Sequence, residues 1–372
     1  MKIAVTTRLL NGRLEGIGHH TFELLNRLIV NHPEIEWHLI NDGKKNQILF
    51  PQANVIHHKL LPPTRHPLLW YYWYEWAIPR LLQSIQADAV WYPDGMMSLK
   101  ANTPSLLTIH DLAYQHFPKG TVSSHRRYLE WLMPRQLQKA NHLACVSDFT
   151  QQNLMNSFDV PEEKLSITYN AANEEFRRLS LESQERFREA YTDGKPYFLY
   201  LGSIHPRKNI SRLIQAYNLF RKKNPKGPKL VLAGRWAWKS NAIRSTLQGA
   251  DFQDDIVHLS EIDGIIYTLV GSALAMVYIS LWEGFGMPVL EAMQSGAPVI
   301  TSADSAMSEV ARDAAIYIDP LKIDTIAKGL EFIYTKPSLR IKLREEGIKR
   351  AQLYNWDDSA ITLSKELRSI LT

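Results

Sequence analysis

Ser280-Leu-Trp-Glu-Gly-Phe-Gly-Met-Pro-Val-Leu-Glu-Ala-Met-Gln-Ser-Gly-Ala-Pro-Val-Ile-Thr301 decides the fold. The apolar run Ala273 to Ile279 before it reads as a buried strand. Glu283-Gly-Phe-Gly then forms a loop, whose glycines let the backbone turn tightly and approach a ligand. Pro288 sits where helices begin, because its missing N–H needs no partner there. Gly296 ends the helix and Pro298-Val-Ile opens the next strand. The free N–H groups of Phe285, Gly286 and Met287 would face a phosphate or a sugar hydroxyl at the helix N-terminus. Glu283 before the helix and Glu291 in its first turn bracket that seat with two acceptors for vicinal hydroxyls. A helix dipole that favours acidic residues accounts for Glu291 but not for Glu283.

Strand-like and helix-like runs alternate on both sides of this stretch, the pattern of parallel sheets covered by helices. Strands are expected near Ile3–Thr6, Trp37–Ile40, Val55–His57, Ala89–Tyr92, Ser105–His110, Leu143–Ser147 and Leu165–Thr168. A second series runs through Tyr197–Leu201, Lys229–Ala233, Ile256–Leu259, Ala273–Ile279, Pro298–Ile300 and Ala315–Ile318. Helices of the first half are expected at about Gly18–Val30, Pro67–Ser84, Ser124–Ala140 and Asp148–Ser157. The charged, aperiodic stretch 176–195 reads as a linker. A chain of 372 residues is long for one core, so two domains are expected, 1–185 and 186–353, and the run from Asp319 onward reads as helical.

Composition is globular, and no segment is apolar for the length of a bilayer span. The start of the chain lacks a signal peptide's apolar region, which with one cysteine, Cys145, points to a reducing cytoplasm. Cys145 lies in an apolar run with no basic neighbour and reads as a buried structural thiol. A net charge of +5 suits phosphate-bearing ligands or an anionic membrane face; no nucleic-acid motif accompanies it.

Leu201-Gly-Ser-Ile-His-Pro-Arg-Lys-Asn-Ile leaves a strand and enters a helix. Arg207 and Lys208 at that helix start are two cations where the dipole is already positive, so they call for an anion. A diphosphate would serve: Arg can fork onto its oxygens and Lys adds a point charge. No Asp-x-Asp pair and no metal-ligand spacing occurs in the sequence, so metal-independent chemistry is expected. Glu15-Gly-Ile-Gly-His-His-Thr has glycines at 16 and 18 but Thr21 at the third position, which excludes a dinucleotide fingerprint. Beside the second-domain stretch, Gly16 and Gly18 read as a lid over the donor phosphates. Pro67 to Pro79 holds three of the ten Trp. Trp70, Trp73 and Tyr74 would share one helical face, read first as core, with an aromatic membrane-facing surface as the functional alternative. Arg65 and Arg80 flank it.

Glu283, seven residues and then Glu291, within EGFGMPVLEAMQSGAPVI, closely resembles the retaining glycosyltransferases of family four, which have two Rossmann-like domains in the GT-B arrangement. The resemblance implies a doubly wound α/β fold with a cleft between an acceptor-binding first domain and a nucleotide-sugar-binding second, and a C-terminal helix, 354–372, opening at Tyr354-Asn-Trp-Asp-Asp-Ser-Ala and crossing back to the first. It implies that Glu291 holds the donor ribose and Glu283 the transferred sugar. Gly284, Phe285, Gly286, Met287 and Leu290 would line the donor. Ser203, Gly234 and Arg235 would lie near the nucleotide, and Ile262, in Ser260-Glu-Ile-Asp-Gly, near the base. His110 and Asp111 match the family's His-Asp, with the His beside the transferred sugar. The family's glycine-rich loop is often followed by Arg, where this chain has His19. Arg207 and Lys208 would take the leaving diphosphate.

The expected activity is retaining, metal-independent transfer of a hexose from a nucleotide diphosphate sugar, GDP-mannose first and a UDP-sugar next. The acceptor would be a glycan or lipid-linked sugar in cell-surface polysaccharide synthesis, with peripheral contact at the cytoplasmic membrane face and no nucleic acid. A nucleotide-sugar epimerase and a non-catalytic sugar-nucleotide-binding protein are the rival readings.

Overall fold

The structure is a computed structural model describing residues 1–372 except Gly12, Arg13, Glu15, 44–48, Arg65 and Thr372. Glu15, in the glycine loop, and Arg65, before the aromatic helix, thus lie outside the described residues. The chain divides into two units. One comprises Met1–Gln115, Thr121–Asn170 and Asn355–Thr372; the other comprises His116–Gly120 and Ala171–Tyr354.

The first unit is a parallel sheet of β1 (Lys2–Thr6), β2 (Glu36–Asn41), β3 (Val55–Lys59), β4 (Ala89–Tyr92), β5 (Ser105–Ile109), β6 (His142–Cys145) and β7 (Leu165–Ile167). Their order is β3-β2-β1-β4-β5-β6-β7. β4, β5 and β6 are buried along their whole length because helices cover both faces, which is why they read as apolar runs rather than alternations. Cys145 ends β6 fully buried, and burial pushes its thiol up to about 12. Helices α1 (Gly16–Asn31), α2 (Pro67–Tyr72), α3 (Ile78–Ile85), α4 (Ala113–His116), α5 (Ser123–Lys139) and α6 (Asp148–Phe158) follow in chain order.

The aromatic segment is not one continuous helix. A π-helical turn, Trp73–Ala77, separates α2 from α3. Pro79 explains it: with no N–H and a ring that crowds the preceding turn, it cannot continue an ordinary ladder, so Ile78 N–H reaches back to Trp73 O. The turn buries Trp73, Tyr74 and Glu75 and leaves Tyr71, Tyr72 and Trp76 exposed. One face is therefore core and the other is an aromatic surface.

The second unit repeats the plan. Strands β8 (Tyr197–Leu201), β9 (Lys229–Ala233), β10 (Ile256–Leu259), β11 (Ala275–Tyr278), β12 (Val299–Ser302) and β13 (Ala315–Ile318) lie in the order β10-β9-β8-β11-β12-β13, all parallel. Its helices are α7 (Leu181–Thr192), α8 (Ile210–Lys223), α9 (Asn241–Gln248), α10 (Ile266–Gly271), α11 (Met287–Gln294), α12 (Ala306–Ala311), α13 (Ile323–Thr335) and α14 (Pro337–Ala351). The expected linker at 176–195 is thus a correction: it holds α7, a helix of the second unit. Ser180 caps it, Phe187 anchors it beside Tyr197, and Arg188 donates to Ser272 O at 2.9 Å. Its apolar periodicity is weak because only Phe187 and Thr192 are buried.

The last helix, α15 (Trp356–Ser369), belongs to the first unit and packs on α1. Trp356, Leu363 and Leu367 are buried, Ser359 donates to Tyr169 O, and Arg27 pairs with Asp357 at 2.6 Å. Among the described residues no helix is long and apolar enough to cross a membrane.

Candidate active site

In the second unit the strand order reverses between β8 and β11, and ligands of open parallel sheets bind outside the strand ends at such a point. The chain after β8 carries Pro206–Lys208 as a 3-10 turn; the chain after β11 carries Glu283. Leu281 N–H donates to Arg207 O at 2.8 Å and ties the two together. Across this junction Arg207 Nη1 lies 2.9 Å from Glu283 Oε2, and Lys208 Nζ lies 2.5 Å from Glu283 Oε1. Lys208 also donates to the Tyr278 hydroxyl at 2.6 Å, and that hydroxyl donates to Glu283 Oε1 at 3.3 Å. Arg207 Nη1 further donates to Trp282 O.

The electrostatics follow from burial and pairing. Burial alone would raise the Glu283 carboxyl, but Arg207 and Lys208 outweigh it and hold the group down at about 2. Glu283 is thus a carboxylate at any working pH. Burial, then the Glu283 charge, lifts the Tyr278 phenol far above its ordinary range, so it stays a neutral donor. His205 accepts from Arg207 N–H at its Nδ1, 3.2 Å away. Burial first and then the two cations lower this His to about 4, so its ring is neutral. One of the two cationic charges is therefore offset inside the protein by Glu283, expected from the sequence as a sugar ligand apart from them.

Glu291 differs. Burial raises its carboxyl to about 7. No cation or hydrogen-bond donor among the described residues holds that carboxylate. It stands in the second turn of α11, not the first: the helix starts at Met287 and Pro288 is its second residue, so no acidic residue lies in the first turn. Gly286 caps the helix at φ +106°, and a Cβ there would meet Met307 Cγ at 2.7 Å. Phe285 is buried against Tyr354, and Leu290 points into the core.

Gly234 has φ +139°, and a Cβ there would lie 2.1 Å from Gly202 O, so this glycine lets the chain after β9 run close beside the chain after β8. Ser203 O accepts from the Tyr200 hydroxyl at 2.8 Å. Arg235 is exposed and Ile262 buried.

In the first unit Gly16 and Gly18 lie inside the first turn of α1 rather than in a loop before it. A Cβ on Gly18 would meet Leu9 O at 2.9 Å, so close backbone packing within this unit requires that glycine. His110 follows β5, and its Nε2 lies 2.6 Å from Pro93 O. A carbonyl only accepts, so Nε2 carries the proton and Nδ1 is left as an acceptor. Burial lowers the His110 pKa, which keeps the ring neutral. His20 packs edge-on against it, 5.0 Å between centroids, and pairs through Nδ1 with Asn170 Oδ1 at 2.8 Å. Asp111 Oδ1 accepts from Ala113 N–H and starts α4. Tyr278, His205, His20 and Asn170 escape a sequence reading because each is joined to its partner by pairing, not by a motif. Among the described residues no group of three His, Cys, Asp or Glu is placed to hold a metal ion.

Two family models match, together spanning most of the chain. "Glycosyltransferase Family 4" covers residues 14–176 and "Glycosyl transferases group 1" covers 182–350. O-antigen chain mannosyltransferase B of Escherichia coli is 27% identical over 96% of this chain and 97% of its own. O-antigen chain mannosyltransferase RfbU of Salmonella typhimurium is 26% identical over 68% of this chain and 67% of its own. The fold matches that of the Anabaena protein HepE, crystallised with UDP-glucose, at TM-score 0.77 and 14% identity, over 99% of this chain and all of the other.

Proposed function

The chain belongs to the family-four glycosyltransferases with two Rossmann-like domains, and on that premise we propose that it moves mannose from GDP-mannose to a glycan or lipid-linked acceptor during cell-surface polysaccharide synthesis, with retention of anomeric configuration. The observation that carries the reading is the pair Arg207 and Lys208 gathered on Glu283 at the strand-order reversal. Arg207 and Lys208 would receive the diphosphate as the bond from the anomeric carbon to its oxygen breaks. They are already oriented, so they favour the transition state, in which that charge grows, over the ground state. Glu283, ionised throughout, accepts from a hydroxyl of the transferred sugar. Glu291, whose carboxylate no cation or donor among the described residues holds, accepts from the ribose hydroxyls. The names of the two mannosyltransferases support mannose as the sugar. The two cations support transfer without a metal. A peripheral contact with an anionic membrane face is supported by exposed Tyr71, Tyr72, Trp76 and Trp131, with Lys100 Nζ 3.7 Å from the Trp76 ring.

The experiment is acceptor-dependent release of nucleoside diphosphate from GDP-, UDP- and ADP-sugars, with and without EDTA. GDP release from GDP-mannose that survives EDTA is expected. Release that stops with EDTA and returns with Mg²⁺ would end the metal-free reading. Turnover of UDP-glucose alone would end the GDP-mannose reading, and an epimerised donor without an acceptor would end the transferase reading.

A further inference from the structure

Three helices of the second unit end on arginines. α10, α11 and α13 each follow a strand of the parallel sheet and run back against it. Their C-terminal ends therefore lie at the amino ends of the strands, away from the carboxyl end of β11 that leads to Glu283. Ser272 closes α10 three residues before β11, and Gly296 follows α11 three residues before β12. β11 and β12 pair with Met276 beside Val299, so these two turns are neighbours. Arg188 of α7 forks onto Ser272 O, with Nε at 3.1 Å and Nη2 at 2.9 Å. Arg344 of α14 donates its Nε to Gly296 O at 3.0 Å. Arg340, one turn earlier in α14, donates Nη1 to Ile333 O at 2.5 Å and to Tyr334 O at 3.0 Å, in the last turn of α13. Arg178 lies just before α7, next to Leu179, whose side chain covers Gly271 at the end of α10.

A cation at a helix C-terminus is favourable, which accounts for each arginine singly. It does not account for four together. Burial first, then Arg178, Arg340 and Arg188, lowers the Arg344 pKa, and the charges that shift it are all cations. None of the four pairs with a carboxylate among the described residues. A helix end offsets about half a charge, so three of them leave the four guanidiniums with an excess of about 2.5. Solvent reaches this excess: Arg178 is exposed and the other three are half-buried. Carbonyl bonds already orient three of the heads, so a ligand has little ordering left to impose.

We propose that Arg178, Arg188, Arg340 and Arg344 form a second anion site, at the amino ends of β11 and β12, which takes a diphosphate group. Guanidinium forks match phosphate oxygens. A single phosphate monoester, at about −1.5 to −2, leaves part of the excess uncovered, whereas a diphosphate covers it. The site shares no residue with Arg207 and Lys208 and goes beyond the transferase reading: its ligand binds in addition to the donor.

The test is calorimetric titration of the full chain with inorganic pyrophosphate at saturating GDP, which keeps the site at Arg207 and Lys208 filled. Pyrophosphate should bind roughly tenfold more tightly than inorganic phosphate. Arg178→Gln should weaken it by roughly tenfold, and Arg344→Gln by at least as much, with GDP affinity unchanged. Arg178 holds no other group in the fold, so its variant decides the matter if Arg344→Gln does not fold. Cosedimentation with phosphatidylcholine vesicles, with and without farnesyl diphosphate, names the source. Recruitment by farnesyl diphosphate that Arg178→Gln abolishes would support the site with a lipid headgroup as its ligand; pyrophosphate binding without recruitment would support it with a soluble one. The proposal is overturned if pyrophosphate does not bind beside GDP, if Arg178→Gln binds it as before, or if phosphate binds as tightly. Failure of the transferase reading would look different: no release of GDP from GDP-mannose with any acceptor, whatever pyrophosphate does.

Discussion

Glu283 pairs with both Arg207 and Lys208 and offsets one of their two charges, so an incoming diphosphate competes with a carboxylate already in place. Glu283→Gln removes that competitor. Bare GDP should then bind more tightly, on the order of tenfold or about 1.4 kcal/mol, while kcat falls by roughly a hundredfold as the cations lose their fixed orientation. Calorimetry with GDP beside turnover with GDP-mannose checks both, and weaker GDP binding would contradict the competition. Glu291 carries the opposite shift. Its folded-state pKa of about 7 lies above the ordinary carboxyl value, so the stability tied to its protonated form is complete below about 4.5 and is lost as pH rises through 7. Ribose hydroxyls need the carboxylate, so GDP affinity should rise by roughly tenfold between pH 6 and 8. Glu291→Gln should flatten that rise and remove the matching slope in thermal stability; an unchanged slope would assign the titration to another group.

At the level of elements, the central strands were legible because they are buried on both faces, so each is an apolar run bounded by turns, whereas the edge strand β3 is largely exposed. What escaped has a physical reason. Helix α7 buries too few side chains to show a period, and the π-helical turn before Pro79 looks like ordinary helix to any pattern of 3.6. Arg207 and Lys208 announced themselves as cations in need of an anion, but the anion lies 75 residues on, beyond any spacing rule. The ion pair of Arg8 with Asp94, 86 residues apart, was silent for the same cause. Gly234 was legible as special, but its close approach to Gly202 O was not, since a glycine that admits a ligand and one that admits a neighbouring loop look alike in sequence. Gly234→Ala should cost about 3 kcal/mol, through a left-handed φ and a clash with Gly202 O, and lower the melting temperature by roughly 10 °C. Calorimetric melting decides it; a variant that melts normally but loses GDP binding would return the glycine to the ligand.

On the scale of the whole chain, the first unit is built from both ends: its sheet comes from residues before Asn170 and its α1 face is covered by α15. Truncation after Tyr354 should expose Leu24, Leu28 and the other apolar residues of α1, destabilise the first unit and leave the second able to melt on its own. Two calorimetric transitions in the full chain, of which only the earlier is displaced in the truncated one, would be the sign. A single transition displaced as a whole would mean that α15 supports both units. The same arrangement bears on how the protein is made. During vectorial synthesis the first unit emerges first but lacks its closing helix until Trp356–Ser369 leaves the ribosome, whereas the second has nearly all its residues in one stretch and can complete earlier. The nascent N-terminal half must therefore wait, apolar helix face uncovered, for roughly two hundred further residues, ten seconds or more at ordinary elongation rates. A stop codon just before α15 would then damage the half translated first, and the face of α1 left uncovered would be the surface a chaperone holds in the interval.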